Sequence, residues 1–237
     1  MTVTHILFDF FGTLVDYDDG HLPAPVRSVA AASRVSGAPM SAVQFSARWA
    51  AAWAAWEERC ATEHREFSML DVAGSFLPGA APSDVAAFVA TYIDEWNAGV
   101  RYLPGIGPLL RSLAGHYRLA VVSNTHEPDL VPGHLAAMGV ADLVDTVVTS
   151  VEVGVRKPHP AIYRAALDRL GIGPGEALFV GDNPVADYEG PTAAGMRAYL
   201  IDPAARHPVP ADRRIDSVFD LQGLAAHSCA RPSCRPA

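Results

Sequence analysis

The chain has 237 residues, 50% of them hydrophobic, with Lys+Arg 18 against Asp+Glu 26 and a formal net charge of −8. That length and apolar content provide for one α/β domain or a core carrying a smaller insertion, and exclude a long repeat array. The acidic balance, without a run of Lys or Arg, excludes a surface that neutralises many nucleic-acid phosphates; no apolar stretch reaches the ~20 residues that span a bilayer, and a small molecule is the expected partner.

Met1 to His5 lack a basic region followed by an apolar run, so the chain reads as cytoplasmic. Thr4 to Phe10 is a short apolar run stopped by Gly12 and Thr13, the pattern of a buried strand. From Pro23 to about Asn97, Ala-rich helical segments are punctuated by Gly37-Ala38-Pro39, Leu77-Pro78-Gly79 and Ala81-Pro82, which predicts an all-helical insertion. Within it Trp49, Trp53 and Trp56 share one helix face, either as the floor of an aromatic pocket or as the seam of a helical hairpin. Glu57, Glu58, Glu63 and Glu66 read as solvated charge.

After Gly99 to Gly107, helices expected over 107–113, 130–138, 160–170 and 191–195 alternate with strands over 119–123, 146–149, 177–181 and 198–201. Such alternation implies right-handed crossovers and a mostly parallel sheet. The expected fold is therefore α/β: a Rossmann-like parallel sheet with helices on both faces over 1–16 and 99–226, and a helical insertion over 17–98. The Pro-, Ser- and Arg-containing stretch 227–237 is expected to be a disordered tail. Cys60, Cys229 and Cys234 are odd in number, lack metal-ligand company and are expected to do no chemistry.

Ligands of open α/β sheets bind beyond the carboxyl ends of the strands. There the sequence places Asp9, then Ser123-Asn124, then Asp182, while the strand through Val147 leads by way of Gly154-Val155-Arg156 to Lys157. A carboxylate such as Asp9 suits nucleophilic displacement through a covalent intermediate. Ser123 and the backbone N–H groups near Gly12 and Asn124 are donors without bulk for the transferred group's oxygens, and Lys157 offsets negative charge. Asp182 and Asp187 would join Asp9 on one rim, and three like charges need more compensation than one lysine gives; Mg²⁺ meets that need. Asp182-Asn183-Pro184 is also turn chemistry, and that reading stands beside the metal one.

Asp9-Phe10-Phe11-Gly12-Thr13, Ser123 after Leu119-Ala120-Val121-Val122, Lys157 in Arg156-Lys157-Pro158, and Gly181-Asp182-Asn183-Pro184-Val185-Ala186-Asp187 follow one another in the chain. In these motifs and their order the sequence resembles the haloacid dehalogenase superfamily, over roughly 3–16 and 100–202. The resemblance implies Asp9 as nucleophile with Ser123, Lys157 and Asp182 in the catalytic set. It implies substrate contacts from Phe11, Gly12, Thr13, Asn124 and Lys157, and Mg²⁺ held by Asp9, the main-chain carbonyl of Phe11 and Asp182, with Asp187 nearby. The helical insertion corresponds to a cap that selects substrate, with the Gly-bearing linkers Asp16 to Gly20 and Gly99 to Gly107 as a hinge pair.

Phosphatases of that superfamily carry a second Asp two residues after the nucleophile, to protonate the leaving group; here Phe11 stands there. Its 2-haloacid dehalogenases carry an aromatic residue at this point, because a halide leaves without a proton. The first reading is a Mg²⁺-dependent phosphomonoester phosphatase acting on a small phosphorylated metabolite through an aspartyl-phosphate. The alternative is a metal-free 2-haloacid dehalogenase using the same Asp9, and a non-catalytic binding module is the third. Against dehalogenation, metal-free members tend to present Ser and Asn where this chain has Asp182. A halide would want a cap arginine, for which Arg34 and Arg48 are candidates, although Arg48 beside Trp49 also fits a surface residue lying over apolar neighbours. The absence of Lys between Asp9 and Ser123 argues against carbon–phosphorus cleavage through a cap lysine. His126 and His159 are assigned no role.

Overall fold

A computed structural model describes residues 2–17 and 25–223. The expected tail over 227–237, with Cys229 and Cys234, and residues 18–20 of the first linker lie outside the described residues. In chain order, β1 (His5–Phe8) and β2 (Val15–Tyr17) precede the helices α1 (Val26–Ser36), α2 (Ala42–Cys60), α3 (Met69–Phe76) and α4 (Pro82–Trp96). Then come β3 (Val100–Tyr102), α5 (Ile106–Ala114), β4 (Arg118–Ser123), α6 (Leu130–Ala137), β5 (Val144–Thr149), the short α7 (Ser150–Val153) and α8 (Pro160–Leu170). β6 (Ala177–Gly181), a π-helical segment Pro184–Glu189, α9 (Gly190–Ala193), β7 (Arg197–Ile201) and β8 (Arg214–Ile215) follow, and a 3-10 turn Val218–Leu221 comes last.

Strands buried on both faces read as continuous apolar runs, and β1 and β6 are buried at every residue. They lie at the centre of a six-stranded sheet ordered β5-β4-β1-β6-β7-β8, with every pair parallel. Leu7, Ala120, Val122, Val148 and Phe179 share one face with Ile162, Tyr163, Ala166 and Leu167 of α8. By strand alternation Ile6, Phe8, Leu119 and Val121 point to the other face and are equally buried. The expected α/β fold with a parallel sheet is the observed one.

Strand order reverses about β1, since β4 and β5 lie to one side and β6, β7 and β8 to the other. Phe8 is in register with both Val121 and Val180, so residues 9, 123 and 182 emerge at one edge of the sheet, at its switch point.

The chain divides into two units, residues 1–15 with 102–237, and residues 16–101. The second is helical between residues 26 and 96. Trp49 is buried in its core with Phe45, Phe76 and Phe88, and Trp53 and Trp56 pack against that core. The indole N–H of Trp49 donates to Tyr92 Oη (3.0 Å) and that of Trp56 to Ser75 Oγ (2.9 Å), so the tryptophan stripe is the seam of the helical unit. Both Gly-bearing linkers carry strand residues that the sequence reading does not name: β2 and β3 form a two-stranded sheet. Three residues each are too few for a visible period of two.

Candidate active site

Backbone geometry brings the site together. Asp9 follows β1 directly, its N–H still bonded to Val180 O of β6 at 2.9 Å. Asp182 follows β6, and Asp187 comes from the π-helical segment behind it. One carboxylate oxygen from each of Asp9, Asp182 and Asp187 lies within 4.8 Å of the others. Into this cluster Lys157, from the loop between α7 and α8, sends its ammonium: Nζ donates to Asp9 Oδ1 and to Asp187 Oδ1, each at 2.7 Å. Lys157 is 4% exposed and is the chain's only lysine.

Two glycines make room for these carboxylates. Gly12, at φ +83°, turns the chain where the Asp182 carboxylate occupies the place of a Cβ, and Gly181 leaves the equivalent space to Asp187. Asn183 performs the turn chemistry, its Oδ1 accepting from Val185 N (3.0 Å) and Ala186 N (2.9 Å). Asp187 Oδ2 accepts from Asn183 N at 2.9 Å while its other oxygen takes the lysine. The turn and the acidic centre thus occupy the same seven residues without competing.

Burial is the largest influence on Asp9 and drives its carboxyl up to about 7; Lys157 opposes this, while Asp187 and Asp182 add to it. Burial would lower Lys157, but Asp187 and Asp9 outweigh it and hold the ammonium charged above its usual value. Asp182 is raised by partial desolvation and by Asp187. Three carboxylates against one ammonium leave uncompensated negative charge, and every donor in the cluster is a hard oxygen, the chemistry a divalent cation such as Mg²⁺ requires. The residues fit that ion.

The remaining expected site residues fall as follows. Thr13 Oγ1 lies 3.5 Å from Asp9 Oδ2. Ser123, 1% exposed, ends β4, with its hydroxyl 3.5 Å from Asn124 O. The Asn124 carboxamide engages the main chain of Lys157. Phe11 meets Phe10 edge to face (centroids 5.0 Å) and the ring of His134 at 6.1 Å. His134 is buried, stacks on Phe10 at 5.8 Å and shares a 3.0 Å hydrogen bond with Tyr102 Oη. That ring set around Phe11 is missed by sequence reasoning, because a histidine on an apolar helix face carries no signal of the ring it will meet. His159 Nδ1 accepts from Ala161 N at the start of α8, a structural duty. Arg48 donates to Phe76 O (3.1 Å) and lies 5.3 Å over the Phe76 ring, so its guanidinium closes the end of α3; Arg34 is exposed on α1.

The family model for haloacid dehalogenase-like hydrolases matches residues 3–195, and the chain belongs to that family. That family is one of hydrolases. A phosphoserine phosphatase of Thermus thermophilus is 41% identical over 39% of this chain and 36% of its own. A phosphoglycolate phosphatase of Rhodospirillum rubrum is 36% identical over 55% of this chain and 54% of its own, so the chain spans about half or less of these curated relatives. A crystal structure of a 2-haloacid dehalogenase from Pseudomonas syringae pv. Tomato DC3000 matches with a TM-score of 0.69 at 23% identity, covering 96% of this chain and 100% of that one, a likeness of fold. No helix among the described residues is long and apolar enough to cross a membrane.

Proposed function

We propose that the protein is a Mg²⁺-dependent phosphatase that hydrolyses a small phosphomonoester through an aspartyl-phosphate on Asp9. The observation that carries this reading is the cluster of the Asp9, Asp182 and Asp187 carboxylates, two of which, Asp9 and Asp187, share one buried lysine. A centre of that charge suits a cation together with a phosphoryl group, and it repels a haloacid, which is itself a carboxylate. Asp9, Asp182 and the main-chain carbonyl of Phe11 would hold the ion, with Asp187 beside them. Bound there, Mg²⁺ supplies positive charge that offsets the carboxylates and the phosphoryl oxygens.

An Asp9 carboxylate oxygen forms the new bond to phosphorus as the ester P–O bond breaks, and the leaving oxygen takes the electron pair. Water then attacks the phosphorus of the aspartyl-phosphate, releasing phosphate and restoring Asp9. Ser123 and backbone N–H groups near Gly12 and Asn124 hold the transferring oxygens, and Lys157 orients Asp9 and favours its ionised form. Phe11 offers no proton, so leaving groups that depart as stable anions, or that carry their own proton source, are the favoured substrates. The helical unit acts as a cap that selects the leaving group.

The aromatic side chain of Phe11 favours the second reading, metal-free 2-haloacid dehalogenation by the same Asp9. One experiment separates the two: phosphate release from a panel of phosphomonoesters with Mg²⁺ or with chelator, and halide release from 2-haloacids, each with an Asp9→Asn control. Mg²⁺-dependent phosphate release that disappears in the variant is the expected result. Halide release indifferent to chelator overturns the phosphatase reading.

A further inference from the structure

Lys157 must be aimed from a loop, without a helix or long strand to hold its main chain. Asn124, at the end of β4, grips that main chain at two points: Oδ1 accepts from Lys157 N at 2.8 Å, and Nδ2 donates to Lys157 O at 3.1 Å, across 33 residues of sequence. Ser150 makes a matching clasp, its Oγ accepting from Thr125 N at 2.9 Å and donating to Thr125 O at 3.2 Å. Both reciprocal pairs join the residues that follow β4 to the segment that follows β5. A carboxamide offers a donor and an acceptor side by side and so copies a peptide edge, whereas a carboxylate only accepts. Buried pairs of this kind are costly to break, because each partner is left unsatisfied.

We propose that Asn124 is a positioning residue for Lys157, with Ser150 as its second anchor, and that its carboxamide serves the lysine rather than the substrate. The clasp fixes the Lys157 backbone so that Nζ stands between Asp9 and Asp187. The functional part of this inference rests on the reading of Lys157 as a member of the reaction centre.

The test uses the full chain with Mg²⁺ and the variants Asn124→Ala, Asn124→Asp and Ser150→Ala. Two quantities are read: kcat and KM for p-nitrophenyl phosphate, and the rate at which acetic anhydride acetylates Lys157, located by peptide mass spectrometry. With one lysine in the chain, the label reports on this side chain without ambiguity. Asn124→Ala is expected to lower kcat about tenfold or more, to leave KM within about threefold, and to raise the acetylation rate of Lys157 about tenfold. Asn124→Asp, which keeps the acceptor for Lys157 N but sets a second oxygen against Lys157 O, should move both readouts at least as far, and Ser150→Ala should move both the same way by less. Raised KM with unchanged kcat and unchanged acetylation overturns the proposal, because Asn124 would then be acting on substrate. If no phosphate is released by the wild type, the functional reading fails separately and the acetylation rates alone decide the clasp. Should Asn124→Ala not fold, the other two variants carry the same readouts.

Discussion

The carboxylate of Asp182 fills the space that a Cβ on residue 12 would need, and Gly12 stands at φ +83°. Gly12→Ala therefore meets two obstacles, left-handed backbone and a collision with a proposed metal ligand. We expect phosphate release to fall by about a hundredfold or more, with the far-UV circular dichroism retained, and the rise in Tm on adding Mg²⁺ to shrink. Wild-type activity in this variant would show that Asp182 has no fixed place in the reaction.

Phe11→Asp restores a carboxyl group two residues after Asp9. General acid–base catalysis contributes about 10²–10⁴ in rate, so alkyl phosphates should gain at least about tenfold in kcat while aryl phosphates change little. The checking measurement is the dependence of kcat on leaving-group pKa, steep in the wild type and flatter in the variant. A wild-type dependence that is already flat would mean that another group donates the proton.

His5 sits 6% exposed at the opposite end of β1, with Nδ1 2.8 Å from Thr4 Oγ1 and Nε2 without a partner among the described residues. Burial, and after it Arg118, lowers its pKa below the usual 6.5, against smaller opposing effects of Asp145 and Glu176. The folded state thus binds fewer protons than the unfolded state just below 6.5, so stability is complete above that value and falls as the pH drops through the lowered one. Urea unfolding at about pH 7.5 and about pH 5.5 should show this loss, and His5→Leu should reduce it. It should not abolish it, because burial lowers His134 in the same direction.

Glu95 of α4 reaches the first turn of α1: Oε1 accepts from Arg27 N at 2.7 Å, and Oε2 accepts from Ser28 N at 2.8 Å and from Ser28 Oγ. Burial would raise the carboxyl, but the bonds from Ser28 and Arg27 outweigh it and hold it below its usual value. Pro25, at the start of α1, contributes no side-chain hydrogen bond. Glu95→Ala should cost about 1–2 kcal/mol in urea unfolding of the full chain, as loss of a local helix cap does. Glu95→Gln, which retains an acceptor, should cost less.

The central sheet is legible in the sequence because buried parallel strands are written as apolar runs: residues 177–181 match β6 at both ends. β5 begins two residues earlier than expected because Val144-Asp145 continues the strand with a charged residue. Asp145 is accommodated there by its bidentate pair with Arg118, at 2.9 Å for each bond. β8, two residues at the sheet edge, is invisible to any periodicity. At the candidate site, the residues at strand ends can be named from their positions, since β1, β4 and β6 deliver them to one edge. What escapes is the identity of partners. That Asn124 grips a backbone, or that Asp187 shares a lysine with Asp9, depends on contacts across 33 and 148 residues that no local pattern encodes.

The reach of Glu95 also bears on the order in which the helical unit assembles. Its bonds to α1 span 67 and 68 residues, so the N–H groups of that first turn find their acceptor only once α4 has docked. Until then α1 has the helix propensity of its Ala-rich sequence but frayed opening residues, and a contact of such long range carries a large loop-closure cost. Weakening it should speed unfolding and leave the folding rate nearly unchanged, which stopped-flow chevrons of wild type and Glu95→Ala would resolve. The first α-helix among the described residues is in this sense finished by α4, about 67 residues further along the chain.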